Sequence, residues 1–228
     1  MTNLEFKMIE LLVDLKEKHG VVEVKAEFEA EGTRLSELMR LKDIADKAGV
    51  GLFLKTGGAE ALRDMFDAEI IGVTGIVAPM IESGYAMKKY LASIDLTFPE
   101  EVKERMQFSV NIETKLAYEK LPEILSASGI ENLNSVCVGR VDLSESMGLG
   151  RAEINGPEVY RITKEIFQQA RKRGLKNKMG GGISKEAVPF ITELIKEKLL
   201  DFYETRKIVF QVVREDEDDM KTGILKAG

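Results

Sequence analysis

The chain has 228 residues, 44% of them hydrophobic, and a formal net charge of −6. That length and apolar fraction suit one large α/β domain or two small ones, and no Pro/Gly/Ser linker divides the chain, so one domain over residues 1–228 is expected. The acidic balance and the lack of a basic, aromatic-rich patch argue against a nucleic-acid binder, while small anionic substrates remain compatible.

Leu4 to Leu15 is amphipathic but broken by Glu5, Lys7, Glu10 and Asp14, so residues 1–20 read as a helix and not as a signal peptide or membrane span. The only histidine, His19, sits beside Gly20 at its end, where a cation suits the helix dipole. The single cysteine, Cys137, lies in an apolar strand and excludes an internal disulfide framework, consistent with a cytoplasmic setting.

A strand follows in which Val22, Val24, Ala26 and Phe28 share one face and Glu23, Lys25, Glu27 and Glu29 the other. The next segment, Arg34 to Gly49, has helical spacing and returns to a short strand, GLFLKTGG. In a parallel barrel the outward face packs on helices and must be apolar, so the charged face should point inward. Lys55 ends the second strand, and Gly57 and Gly58 expose amides before a helix expected from Ala59. GIVAPMIES is the third strand, and a helix carrying Tyr85, Met87, Tyr90 and Leu91 follows.

Gln107 to Gly148 twice places a carboxylate where an apolar strand ends. Phe108, Val110 and Ile112 alternate with Ser109, Asn111 and Glu113; then Val136 and Val138 lead into Arg140 and Asp142 at the same parity. The intervening segment has helical spacing, so this is a βαβ unit with parallel strands. Two acids at neighbouring strand ends can hold one Mg²⁺-type ion, leaving positions for water and substrate oxygens. The spacing serves equally a helix cap at Glu113 and a turn at Asp142.

A helix from about Glu158 to Arg173 precedes KNKMGGGISKEAV, whose Gly180 to Gly182 make room for a ligand or a tight connection. In DFYETRKIVF, Phe202, Glu204 and Arg206 share one parity, with Arg206 closing the strand. The acidic residues 215–219 read as a solvated loop or tail. Alternating strands and helices with polar strand ends indicate a (β/α)8 TIM-type barrel with its site at the C-terminal face. Seven strands are clear, and the eighth is either hidden in Ile208 to Val213 or missing; an open doubly wound sheet is the alternative.

From about Glu27 to Arg206, the order GIVAPMIES, NIET, VGRVDLSESMGL and a Gly-rich strand resembles the HpcH/HpaI aldolase and citrate lyase β-subunit family of the phosphoenolpyruvate/pyruvate barrel superfamily. The resemblance puts Glu113 and Asp142 on the family's divalent-metal ligands, with Mg²⁺ or Mn²⁺ as the cofactor. It implies carbon–carbon bond cleavage or formation beside a 2-oxo acid or acyl thioester, through a metal-stabilised enolate. Two positions depart: Phe28 stands where the aldolase branch has a His base, and Lys55 where the family has a substrate-binding arginine, so the lyase branch fits better.

On this reading Lys55, with Arg206 or Arg140, receives the carboxylate or enolate charge, and Glu27, or a water it positions, is the acid/base candidate. Lys25 and Gly181 complete the substrate-binding set. Alternatives are a Schiff base on Lys55 and a non-catalytic barrel that serves in binding or assembly. Apolar surface at Ile208 to Val213 needs a cover, and the resemblance implies that the segment 207–228 is exchanged between subunits, so a homo-oligomer, trimer or hexamer, is expected.

Overall fold

A computed structural model describes residues 1–213 and 216–228. The chain opens with α1 (Asn3–His19), which Thr2 and Glu5 cap reciprocally and Gly20 ends in the left-handed conformation, φ 73°. Then come β1 (Val21–Glu27), α2 (Leu35–Ala48), β2 (Gly51–Lys55), α3 (Leu62–Ile71), β3 (Gly75–Ala78), α4 (Gly84–Thr97) and α5 (Glu100–Lys103). The middle of the chain supplies β4 (Gln107–Asn111), α6 (Lys115–Glu119), α7 (Leu121–Ile124), β5 (Ser135–Gly139), α8 (Arg140–Ser146) and α9 (Pro157–Lys172). It ends with β6 (Lys176–Gly180), α10 (Val188–Lys196), β7 (Phe202–Glu204), β8 (Ile208–Gln211) and α11 (Glu217–Ala227).

The strands close a barrel in the order β1 to β8. Neighbours from β1 to β7 pair in parallel, whereas β8 runs antiparallel to both β7 and β1. The eighth strand therefore lies where the sequence placed it, but it is inverted. Only Thr205, Arg206 and Lys207 join β7 to β8. A parallel crossover needs a dozen or more residues, so this link can only make a hairpin. Thr205 fixes the turn: its amide donates to the Ile208 carbonyl at 2.9 Å, and its hydroxyl accepts from the Ile208 amide at 3.1 Å.

The inverted strand covers part of the apolar surface expected at Ile208 to Val213, while Val213 stays exposed. Ile208, Val209 and Phe210 are all buried, and the Phe210 ring stacks on Tyr203 with centroids 4.9 Å apart. The segment expected to exchange between subunits packs on its own barrel. Asp216 caps α11, and the acids at 217–219 occupy its first turn, where the dipole favours them, instead of forming a solvated tail. Glu215 lies outside the described residues. Met220 and Ile224 are buried, His19 Nδ1 lies 2.7 Å from Asp219, and Lys226 bonds Asp14 at 2.8 Å. A Cβ at Gly223 would come within 2.9 Å of His19, so the small residue lets α11 sit close to α1.

Val24 and Ala26 are buried beneath the outer helices, while Glu23, Lys25 and Glu27 are buried on the opposite, inward face, as the alternation predicts. The lumen of this barrel is thus charged. No helix among the described residues is long and apolar enough to cross a membrane.

Candidate active site

The interior divides into two levels. In the lower level, Lys25 Nζ lies 2.5 Å from Glu204 Oε1 and 3.3 Å from Glu27 Oε1. Lys178 Nζ sits 3.9 Å above the centre of the Phe53 ring and 3.6 Å from Glu23 Oε2. The Ser109 and Ser135 hydroxyls bond each other across β4 and β5. Burial would raise the Glu204 carboxyl, but Lys25 and Lys178 outweigh it and hold it below the usual carboxylate range. Burial pushes the Cys137 thiol well above its ordinary range, so it is inert packing.

The upper level, at the carboxyl ends of the strands, is built around Glu113. Its side chain is almost fully buried. Oε1 accepts from the Met80 amide at 3.1 Å and Oε2 from Asn111 Nδ2 at 2.9 Å. Met80 adopts φ 51°, uncommon for a residue with a Cβ, and this turn brings its N–H toward the carboxylate. Gly139 ends β5 directly beneath: a Cβ there would lie 2.4 Å from Glu113 Oε2. The glycine is required by the carboxylate's position.

Asp142 lies in the first turn of α8 and not on a strand, because β5 stops at Gly139 and Arg140 already begins the helix. Burial raises the carboxyls of both Glu113 and Asp142 above their ordinary range; Lys55 pulls each back, and Asp142 adds to the rise at Glu113. Lys55 Nζ stands 3.7 Å from Glu113 Oε1 and 2.7 Å from Glu29 Oε2. Burial alone would lower its amine, yet Glu113, Glu29 and Glu27 together hold it above the ordinary lysine range.

The structure therefore gathers Lys25, Glu27, Lys55, Glu113 and Asp142 of the sequence-derived set. Three others take different places. Arg206 is in the β7–β8 turn, its side chain 68% exposed and bonded to Glu31 at 2.8 Å, because the strand it was expected to close ends at Glu204. Arg140 is fully buried. Its donors go to the carbonyls of Gly180, Ile154, Gly181 and Gly182 and to Asn155 Oδ1, and its guanidinium lies 4.6 Å from the centre of the Phe190 ring. A guanidinium has five N–H groups, so none remains for a substrate, and burial lowers its pKa to about 10. Gly181 (φ +76°) presses on the amides of Arg140 and Val141, where a Cβ would come within 2.6 and 2.7 Å; it is a packing contact of the α8 start. The Gly57 amide, expected to be open, donates to Asp64 at 2.6 Å, and α3 starts only at Leu62.

Four residues of the interior were not among the expected site residues: Glu29, Asn111, Lys178 and Glu204. Each carried a signal in strand parity. Glu29 continues the Glu23, Lys25, Glu27 series, Asn111 stands two before Glu113, Lys178 shares the inward parity of KNKMG, and Glu204 stands two before Arg206.

A family model for HpcH/HpaI aldolase/citrate lyase matches residues 13–179. The chain belongs to that family. Membership makes it a lyase-type enzyme, and the matched stretch includes Glu27, Lys55, Glu113 and Asp142 but neither β7 nor the inverted β8. Among solved structures, the chain is similar to an HpcH/HpaI aldolase from Desulfitobacterium hafniense, with 17% identity, TM-score 0.68 and coverage of 85% of this chain and 80% of that one. An HpcH/HpaI aldolase/citrate lyase family protein from Burkholderia cenocepacia gives 13% identity, TM-score 0.70 and coverage of 88% and 82%. The citrate synthase SbnG gives 16%, 0.63, 82% and 78%. At these identities the structures speak for the TIM-type barrel fold alone. No curated protein sequence matches the chain.

Proposed function

We propose that this HpcH/HpaI-family chain is a divalent-metal-dependent carbon–carbon lyase or aldolase acting on a 2-oxo acid or acyl thioester, with Glu113 and Asp142 holding Mg²⁺ or Mn²⁺. One observation carries the reading: at the mouth, Glu29, Glu113 and Asp142 have Lys55 as their nearby ammonium, while Glu27 is shared between Lys55 and Lys25. Buried like charges raise one another's pKa unless a cation intervenes, and a divalent ion relieves that repulsion. The donor chemistry suits a hard ion, since Glu113 and Asp142 would supply carboxylate oxygens. Among the described residues no group of three or more His, Cys, Asp or Glu is placed to hold a metal ion, so water and substrate oxygens would have to complete the shell. When bound, the ion acts as a Lewis acid for charge developing on the substrate's oxygens.

The chain's own residues do the rest. Asn111 and the Met80 amide fix the Glu113 carboxylate, and Gly139 leaves it space. Lys55 offers a point charge to a carboxylate or enolate oxygen. Glu27, held at 3.3 Å by Lys25, is placed to carry a proton directly or through a water. A Schiff base on Lys55 is disfavoured because its three carboxylate neighbours keep the amine protonated and non-nucleophilic. Borohydride with pyruvate should leave no adduct there.

A cytoplasmic homo-oligomer, trimer or hexamer, belongs to the same proposal. Exposed Leu4, Met8 and Leu11 of α1 and Leu35 and Met39 of α2 now motivate the assembly, in place of the buried β8; light scattering measures it. The test of function is Mn²⁺ binding followed by a turnover screen of oxaloacetate, 4-hydroxy-2-oxo acids and short acyl-CoA thioesters. Metal binding and turnover both lost in Glu113→Gln support the reading; no binding at millimolar Mn²⁺ overturns it.

A further inference from the structure

Lys55 is the cation the proposed reaction relies on, because the other interior cations are either committed or buried below the mouth. Lys25 is held by Glu204 and Glu27, and the Arg140 donors all meet carbonyl or amide oxygens. Lys178 makes no hydrogen bond among the described residues, but it is buried in the lower level on the Phe53 ring with Glu23 at 3.6 Å. At the rim, Arg206 and Lys207 both grip Glu31. The nearest group to Lys55 is Glu29 Oε2 at 2.7 Å, a carboxylate supplied by this chain.

The two carboxylates on Lys55 are held very differently. Glu113 is buried and fixed by the Met80 amide and Asn111. Glu29 lies beyond the end of β1, in the connection to α2, and its side chain is 27% exposed. That connection is pinned near its ends, by the Phe28 amide on the Lys55 carbonyl at 2.9 Å and by the Thr33 amide on the Glu27 carbonyl at 3.1 Å. Glu29 sits between these anchors, so its side chain can swing without breaking the barrel.

We propose that Glu29 occupies the anion position of Lys55 in the substrate-free enzyme and must be displaced by an incoming carboxylate, which makes it the residue that sets how tightly carboxylate ligands bind. The proposal rests on the metal-lyase reading above. Glu113 already stands 3.7 Å from Lys55 Nζ, and a substrate carboxylate added while Glu29 remained would put three anions around one ammonium. Exchange of one carboxylate for another keeps the number of carboxylates in contact with Lys55 constant. A neutral carbonyl ligand has no such exchange to make and leaves Glu29 in place.

The experiment titrates oxalate and methyl pyruvate, by calorimetry, into the full chain and into Glu29→Gln, with and without saturating Mn²⁺; Glu29→Ser repeats the set with a smaller side chain. Removing the competing charge should tighten oxalate about 10-fold, equivalent to about 1.4 kcal/mol, and leave methyl pyruvate unchanged. Oxalate affinity equal or weaker in both variants overturns the proposal, as does an equal gain for methyl pyruvate, which would mean that space and not charge was released. Mn²⁺ binding, read separately by electron paramagnetic resonance, distinguishes the two levels of the argument. Mn²⁺ bound without any oxalate binding rejects the role of Glu29 and keeps the metal site. An oxalate gain without Mn²⁺ binding keeps Glu29 and rejects the metal reading.

Discussion

The two levels of the barrel interior use the same side chains to opposite ends. Below, two glutamates, Glu23 and Glu204, meet two lysines, Lys25 and Lys178. Above, Glu29, Glu113 and Asp142 share Lys55, and Glu27 stands between the levels, shared by Lys55 and Lys25. The lower set is neutral and shut away, a plug that replaces the apolar layers usual in such barrels. The upper set is unbalanced and opens at Asp142, and an unbalanced carboxylate cluster is a place for something positive. The pKa directions follow in part: Glu204 is held low by Lys25 and Lys178 and Glu113 and Asp142 are pushed high by burial, but burial also raises Glu23 in the lower set.

The largest expected effect comes from breaking the plug. Glu204→Gln leaves Lys25 buried without its nearest partner and should cost about 3–5 kcal/mol, measured by urea unfolding. Because the folded pKa of Glu204 is lowered from 4.5, its contribution is present above pH 4.5 and is lost as pH falls through the lowered value. The mouth carries the opposite sign. Glu113 and Asp142 have raised folded pKa values, so their contribution is complete below the ordinary carboxylate values and is lost as pH rises through the raised ones.

A bound cation should reverse that loss. At a concentration about 100 times its dissociation constant, Mg²⁺ should stabilise the fold by about 2.7 kcal/mol at neutral pH. The gain should shrink as the solution is acidified and disappear in Glu113→Gln; thermal melts across pH follow it. Gly139→Ala tests the cradle without touching a ligand. The added Cβ displaces Glu113 Oε2 and should weaken Mn²⁺ binding about 10- to 100-fold, by calorimetry, with the barrel's circular dichroism retained. The smallest effect belongs to Arg206→Ala. It removes an exposed ion pair with Glu31, so at most about 1 kcal/mol of stability should be lost, with Mn²⁺ affinity unchanged. A large loss of metal binding would return Arg206 to the site.

What the sequence by itself determined was alternation and its consequences. The parity of Glu23, Lys25 and Glu27 against Val22, Val24 and Ala26 fixed which face enters the barrel, because an outward strand face must pack on helices. The strand ends at Lys55 and Glu113 were legible for the same reason, and the spacing of helix and strand gave the barrel. Strands also stopped sooner than their patterns, with no loss at Glu113 beyond β4 but with a changed setting elsewhere. Arg140 and Asp142 kept the strand's rhythm after β5 had turned into α8, and Arg206 kept it after β7 had ended. Which donors were already taken was decided only in three dimensions, where carbonyls from residues 154 and 180–182 converge on Arg140. The direction of β8 was likewise a tertiary matter: once β7 ends at Glu204, three residues cannot cross the barrel, so the eighth strand must turn back and close it antiparallel.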